Sequence, residues 1–173
     1  MPSVIDRVLT FPVINRVRRN HALEHATIHV LSGKLRNVSL VGRSTANCFY
    51  LYGNITTEQV TEAVHEALTR LRSGERELAV HPGCGTNLVA SSSLGGLAAF
   101  SVLGLVPRRG RFDFDRLPLA IGAIMLGVIV GQPLGMRLQA SVTTNGDPGD
   151  LRVLGVTQIG EGRVPAFRVD TAS

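Results

Sequence analysis

Three of the five histidines fall within nine residues, at His21, His25 and His29, and Glu24 stands directly before the second of them. In a helix, His21 and His25 lie one turn apart on one face, and Glu24 is offset from His21 by about 60°. Two imidazoles with this spacing can hold one tetrahedral zinc ion, and a carboxylate beside them can act as a general base. The segment therefore matches the H-x-x-E-H arrangement of the inverzincins.

His29 continues the same helical face, but it lies about 12 Å along the axis from His21. One metal ion cannot bind both His21 and His29. His29 is therefore predicted to be solvated, or to contact a metal-binding residue without binding the metal itself. His65 lies beside Glu62 and Glu66 and is predicted to be a solvated histidine.

A second cluster of chemically active residues is His81-Pro82-Gly83-Cys84-Gly85-Thr86. A turn built on proline and two glycines lets His81 and Cys84 point inward, and imidazole and thiolate are both zinc donors. Taken alone, this segment is more typical of a turn with a buried cysteine. Taken together, the two clusters supply a complete set of four zinc ligands: His21, His25, His81 and Cys84.

The elements that must position these residues can be read from hydrophobic periodicity and turn signals. Asn20 is expected to cap a helix over residues 21–31 that stops at Ser32-Gly33, and Thr57 begins a helix that Gly74 closes. Strands are predicted at 37–42, 47–53 and 77–81. Two C-terminal strands, flanking Gly160-Glu161-Gly162, are expected to return and complete the sheet.

Two segments, 88–106 and 117–136, carry no charged residue. Each approaches the roughly 20 apolar residues that a membrane-crossing helix needs, so the two predict a transmembrane hairpin. The alternative is a pair of buried helices in a soluble protein. Gly127, Gly131 and Gly135 share one helix face, which is expected to pack on the first segment and offers a surface for a homo-oligomer.

The 173-residue chain has a formal net charge of +5, and its basic residues largely bracket the apolar segments. Because there is no aromatic stacking platform and no recognised nucleic-acid motif, the expected partner is the lipid bilayer with its anionic headgroups, and not nucleic acid. Residues 3–19 mix apolar and arginine side chains, with a kink expected near Pro12. They predict an interfacial amphipathic segment or, alternatively, an ordinary amphipathic helix docked on the domain.

The predicted fold class is α+β: a small mixed helix and sheet domain with an inserted two-helix transmembrane hairpin. Its expected parts are a basic amphipathic segment (1–19), a metal-site domain (20–87 and 141–173) and the hairpin (88–140). A hairpin places both chain ends on the same side of the membrane. Because Cys48 and Cys84 suit a reducing compartment, that side is predicted to be the cytoplasm, and the location a bacterial inner membrane.

At these residues the sequence resembles the bacterial YqhQ family of membrane proteins, described as predicted metal-dependent enzymes of unknown function. The similar motifs are His21-x-x-Glu24-His25-x-Thr27-Ile28, His81-Pro82-x-Cys84-Gly85-Thr86 ahead of an apolar segment, and Pro133-Leu134-Gly135 with Leu138-Gln139, Thr143-Thr144 and Asp147-Pro148. The resemblance implies that His21, Glu24, His25, His81 and Cys84 form the functional group, with Thr86 and Thr144 as neighbours.

Three functional hypotheses follow. The first is a membrane-anchored, zinc-dependent hydrolase, for example a peptidase, in which Glu24 is the general base. The second is a structural or sensory zinc site without catalysis, and the third is a metal-free membrane scaffold. Coordination number separates the first two, because a catalytic zinc keeps one position open whereas four protein ligands close the site.

Overall fold

The computed structural model describes residues 4–104, 116–160, 162 and 164–173. The chain forms two compact units, of which the first comprises Met1–His81 with Ala140–Ser173 and the second comprises Pro82–Gln139. The result is a mixed helix and sheet fold with two long apolar helices, as the sequence predicted.

Helices of the first unit begin with α1 (Val4–Leu9) and α2 (Pro12–Lys34), so the chain breaks where the kink was expected. Proline suits the first turn of α2, where its missing N–H has no intrahelical acceptor. The third helix, α3 (Thr57–Arg72), starts with a capping box between Thr56 and Gln59. Gly74 follows it with φ at 101°, a left-handed conformation that favours glycine.

The sheet has four antiparallel strands, β1 (Val41–Ser44), β2 (Cys48–Tyr52), β3 (Arg152–Gly160) and β4 (Ala166–Ala172), in the order β1-β2-β4-β3. Strand β4 pairs with β2 and so joins the C-terminal strands to the earlier hairpin, which confirms the expected return of the chain. Of the predicted turn, Gly160 and Gly162 are described and Glu161 lies outside the described residues.

The core of this unit is formed by apolar side chains from α2, α3 and the sheet. Leu23 of α2, Val64 of α3 and Phe49 and Phe167 of neighbouring strands are all fully buried. Leu23 packs in this core and is followed in α2 by Glu24 and His25, which are also buried. The packing of α2 therefore holds the two candidate site residues in place.

Two local predictions are wrong. Asn20 is not a cap, because α2 starts at Pro12 and runs through it; its buried amide donates to the Thr45 carbonyl oxygen at 2.9 Å and accepts from the Thr171 hydroxyl at 2.8 Å. The segment predicted as a strand at 77–81 overlaps a 3₁₀ helix, Arg76–Ala79. Its carbonyl groups bond to histidines of α2, which explains why this segment does not join the sheet.

The second unit contains α4 (Gly85–Gly104) and α5 (Leu117–Leu138). A π-helical turn, Gln139–Thr143, prolongs the second of these, and both helices are long and apolar enough to cross a membrane. The end of the first predicted apolar segment and the basic loop that follows it, 105–115, lie outside the described residues.

The glycine face of α5 packs on α4, as predicted. A Cβ atom added at Gly127 would lie 2.7 Å from the Cα of Gly95, and one at Gly131 would lie 2.5 Å from the Cα of Ser91. Only glycine permits such close approach of two helix backbones. Within one chain, α4 therefore occupies this glycine face. It is the same face that the sequence analysis proposes as a surface for a homo-oligomer.

Candidate metal centre

Helix α2 carries His21, Glu24 and His25 in its middle turns. Glu24 and His25 are buried and His21 is half-buried. The ring centroids of the two histidines are 4.3 Å apart, as the i, i+4 spacing requires. The sequence pattern therefore becomes a pair of adjacent imidazoles inside the first unit.

His25 has a ring orientation fixed by the backbone. Its Nδ1 lies 2.8 Å from the carbonyl oxygen of Ala79, at the end of the 3₁₀ helix. A carbonyl oxygen only accepts hydrogen bonds, so Nδ1 is the nitrogen that donates, and in the neutral ring the lone pair is on Nε2. Histidines that bind metals in proteins are oriented by such a bond from the other ring nitrogen.

His21 is oriented in the same way by a different carbonyl. Its Nδ1 lies 3.0 Å from the carbonyl oxygen of Thr143, in the π-helical turn, so the lone pair of this ring is again on Nε2. Both i, i+4 histidines are thus held in the tautomer that offers Nε2 to a metal. No sequence signal identified these partners, because each is a backbone carbonyl.

The turn that orients His21 is itself held by Arg18, one helical turn earlier in α2. Its guanidinium donates to the carbonyl oxygens of Val142 at 2.7 Å, Thr144 at 2.9 Å and Ser141 at 3.0 Å. The last carbonyls of a helix lack intrahelical donors, and a cation favours the negative end of the helix dipole. Arg18 and His21 together therefore satisfy four successive carbonyls, 141–144.

His81 and His29 extend the imidazole cluster. The ring centroid of His81 lies 5.8 Å from that of His25 and 4.9 Å from that of His29. Burial, followed by the charges of His29 and His25, lowers the pKa of His81 to about 4, so this ring is neutral near pH 7. His29 donates from Nε2 to the carbonyl oxygen of Val80 at 2.8 Å, which ties α2 to the residue before His81.

Glu24 contacts β1. The hydroxyl of Ser44 donates to Oε2 of Glu24 at 2.5 Å, and a Cβ atom added at Gly42 would overlap the same carboxylate. Sequence reasoning missed Ser44 and Gly42. The available signal was a glycine inside a strand, which often marks the close approach of another group.

His21 and His25, both in the first unit, are adjacent and supply two of the predicted metal ligands, while Cys84, the predicted sulfur ligand, belongs to the second unit. Cys84 is buried and directly precedes α4. The role of His81 as a metal ligand stays a prediction. Thr144 is fully buried, and its carbonyl bonds to Arg18; Thr86 lies in the first turn of α4. The roles of Thr86, Thr144 and His29 stay predictions.

The donor set fits a borderline-soft divalent metal. Two imidazole nitrogens and one thiolate are ligands of zinc and of neighbouring transition metals, whereas calcium and magnesium prefer oxygen. The carbonyl-bonded Nδ1 atoms supply the outer contacts that such ligands need.

Comparison with known proteins identifies a family that this chain matches. A model described as a domain of unknown function (DUF6391) matches residues 16–156, a range that includes all the candidate ligands. The chain belongs to the DUF6391 family. The resemblance to the YqhQ family stays a prediction.

An uncharacterised protein of Picosynechococcus sp. (strain ATCC 27264 / PCC 7002 / PR-6) is similar to this DUF6391 chain, with 40% identity over 140 residues. The match covers 74% of this chain and 65% of the relative, so the chain spans less than two thirds of the relative's length. No solved structure matches the chain.

Proposed function

We propose that this protein is a membrane-anchored, zinc-dependent hydrolase, with peptides as one substrate class that suits its chemistry. The observation that carries the proposal is the paired tautomer of His21 and His25. Each ring donates from Nδ1 to a carbonyl oxygen and so offers Nε2 as a ligand. With the thiolate of Cys84, which the sequence predicts as a ligand, these rings would make three protein donors, the number that a catalytic zinc site uses.

The residues of the chain have distinct roles in this proposal. His21, His25 and Cys84 hold the metal, which when bound supplies a Lewis acid that polarises a carbonyl group and activates water. Glu24 accepts a proton from water during attack on the substrate carbonyl and passes it to the leaving group. Ser44 fixes one oxygen of Glu24 and so determines the direction of the carboxylate.

The exposure of α4 and α5 supports membrane anchoring. Only 17% of the most apolar stretch of Gly85–Gly104 and 11% of that of Leu117–Thr143 are buried within the protein, whereas a core helix of a soluble protein is mostly buried. Leu97, Phe100 and Ile129 are among the exposed apolar side chains. Such continuous apolar surface is expected to face lipid. The two cysteines, Cys48 and Cys84, suit a reducing compartment and so favour a cytoplasmic membrane with both chain ends in the cytoplasm.

The second candidate function is a structural or sensory zinc site, and the position of His81 favours it. Its neutral ring lies beside that of His25, with 5.8 Å between the ring centroids, so His81 could supply the predicted fourth donor. Four protein ligands close a zinc site and exclude substrate. Coordination number therefore separates the two functions.

The first experiment is metal analysis of the detergent-purified chain. We expect one equivalent of zinc in the wild type and loss of zinc in His25→Ala and Cys84→Ala. His65→Ala is the matched control, because His65 is exposed on α3. A wild-type protein without stoichiometric metal would contradict both metal-based functions.

The second experiment separates catalysis from structure. Glu24→Gln is nearly isosteric, and we expect it to retain zinc and abolish function in a cellular complementation assay. X-ray absorption of the zinc-loaded protein should show two nitrogen donors, one sulfur donor and one light-atom donor from water. Three imidazoles with one sulfur, together with normal function of Glu24→Gln, would establish the structural site instead.

A further inference from the structure

The N-terminal part of the first unit exposes apolar side chains on a short helix. Val4 is 77% exposed, Ile5 65% and Val8 51% in α1, and Phe11 is 58% exposed just before α2. A soluble protein rarely presents so many neighbouring apolar side chains to water. This stretch, residues 4–13, is called the N-terminal segment below.

Arginines accompany these apolar side chains. Arg7 lies in α1 and Arg16 in the first turns of α2, and both are exposed. The only acidic residue between positions 4 and 19 is Asp6. Apolar side chains combined with a surplus of arginine are typical of helices that lie in the interface of an anionic membrane.

A single guanidinium group determines where the N-terminal segment sits. Arg18 donates from Nη1 to the carbonyl oxygen of Leu9, the last residue of α1, at 3.3 Å. The same group donates to the carbonyls of 141, 142 and 144, at the end of the apolar helix Leu117–Thr143. The end of α1 and the end of that helix are therefore separated by one guanidinium and its hydrogen bonds.

A second contact supports the same placement. The side chain of Asn145 donates to Oδ1 of Asn15 at 2.8 Å, and the backbone N–H of Asn145 donates to the carbonyl oxygen of Arg18 at 3.0 Å. The first turns of α2 are thus bonded to Asn145, which follows the apolar helix, both at Asn15 and at the carbonyl group of Arg18.

From these contacts we infer that the N-terminal segment lies in the headgroup layer of an anionic bilayer, its apolar side chains toward the acyl chains and Arg7 and Arg16 on lipid phosphates. The inference rests on the proposed membrane span of the helix Leu117–Thr143. A helix that crosses the bilayer ends at the headgroups, and Arg18 holds α1 at that end. The bound ligand is an anionic phospholipid.

The absence of tryptophan from the chain gives a direct test. Phe11→Trp places one fluorophore in the N-terminal segment, and the full-length protein is reconstituted into vesicles of phosphatidylcholine with 30% phosphatidylglycerol. Lipids brominated at shallow or deep acyl positions then quench the fluorophore according to its depth. We expect Phe11→Trp to be quenched more strongly by shallow than by deep bromines.

Two further single-tryptophan variants serve as references. Val164→Trp, exposed near the start of β4, should be unquenched, and Ile129→Trp, exposed on α5, should be quenched most by deep bromines. Ile129→Trp reports on the membrane span and Phe11→Trp on the surface segment, so failure of one is distinguishable from failure of the other. If Ile129→Trp is quenched by the lipids and Phe11→Trp is not, the inference is overturned. If Phe11→Trp is then also protected from acrylamide in the water, the N-terminal segment makes a protein contact instead. Unquenched Ile129→Trp refutes the span and with it this placement.

Lipid charge is tested by placing the bromines on one lipid class at a time. Because arginine attracts anionic headgroups, Phe11→Trp should be quenched about twofold more by brominated phosphatidylglycerol than by brominated phosphatidylcholine at equal amounts. Adding the substitutions Arg7→Gln and Arg16→Gln to Phe11→Trp should reduce this ratio to about one. The same two substitutions added to Ile129→Trp should leave its quenching by deep bromines unchanged. Equal quenching by both lipids in the parent variant would contradict the anionic preference.

Discussion

The imidazole of His21 donates a hydrogen bond from Nδ1 to the carbonyl oxygen of Thr143, with 3.0 Å between the two atoms. Thr143 ends the π-helical turn that follows α5. One candidate metal ligand is therefore oriented by the backbone at the end of an apolar helix. π-helical turns are rare and often occur at functional sites.

Arg18→Gln is expected to weaken metal binding although Arg18 is not a ligand. The substitution removes the donors that hold carbonyls 141, 142 and 144, and so frees the carbonyl of 143 to turn away from His21. Loss of the outer hydrogen bond of a metal-binding histidine typically costs about 10-fold to 100-fold in metal affinity, and Arg18→Gln, which acts through that bond, should cost at most this much. Competition with a chromophoric chelator measures the change, and Arg16→Gln, exposed on the same helix, should bind zinc like the wild type.

Gly42→Ala is expected to destabilise the fold through Glu24. The added methyl group would occupy the position of the Glu24 carboxylate, which Ser44 also contacts. Overpacking at a closed site costs about 1 to 3 kcal/mol. The control is Gly155→Ala on β3, where an added Cβ has no neighbour within 4 Å. Equal denaturation midpoints for the two variants would show that Glu24 does not need its contact with β1.

Gly131→Ala is expected to loosen the pair of apolar helices. Its Cβ would lie 2.5 Å from the Cα of Ser91, and helix backbone cannot yield as a side chain can. Gly122→Ala lies on the same helix with no neighbour within 4 Å of the added atom. The midpoint of thermal unfolding in detergent should fall for Gly131→Ala and stay unchanged for Gly122→Ala. An unchanged midpoint for both variants would refute the close contact.

Asn20→Ala is expected to cost about 1 to 3 kcal/mol, because it leaves two polar groups without their hydrogen bonds. The Thr171 hydroxyl loses its acceptor and the Thr45 carbonyl loses its donor. Chemical denaturation of the purified protein measures the effect. The exposed Asn54 provides the control substitution, Asn54→Ala, which should have little effect.

The pKa of His81 predicts how the metal-free protein responds to acid. Burial, with the charges of His29 and His25, lowers it from 6.5 to about 4 in the folded state. Between these values the unfolded chain binds more protons than the folded chain, so stability is full above about pH 6.5 and falls as the pH drops toward 4.

The effect is measured as the difference in urea midpoint between pH 7.5 and pH 5 in the presence of a chelator. His81→Asn removes the titrating group and should flatten this part of the stability profile. His65→Asn, on the exposed side of α3, should leave it unchanged. A profile that keeps its full slope in His81→Asn would show that another group is responsible.

The sequence was informative where one element carries its own signal. Uncharged segments predicted the helices of the second unit, glycines four residues apart predicted their packing, and the i, i+4 spacing predicted the adjacent rings of His21 and His25. Such patterns depend only on helical geometry and on the local balance of apolar and charged residues.

The parts that were missed depend on pairings distant in sequence. The carbonyl groups of Ala79 and Thr143 orient the two histidines, and a backbone carbonyl has no residue type to reveal it. Arg18 is one of many arginines in the chain, and nothing in its local sequence distinguishes the one that holds a helix end. The cap prediction for Asn20 is wrong because the apolar residues before it belong to the same helix, α2, and local sequence does not show that continuity.

The bond between Arg18 and the end of the apolar helix has a consequence for how molecules reach the site. His21 is three residues from Arg18, about 4.5 Å along α2. Under the proposed membrane span of the helix Leu117–Thr143, a substrate dissolved in the same leaflet would approach by diffusion in two dimensions. Its supply is then determined by surface density, in molecules per lipid, and solubility in water no longer limits the encounter.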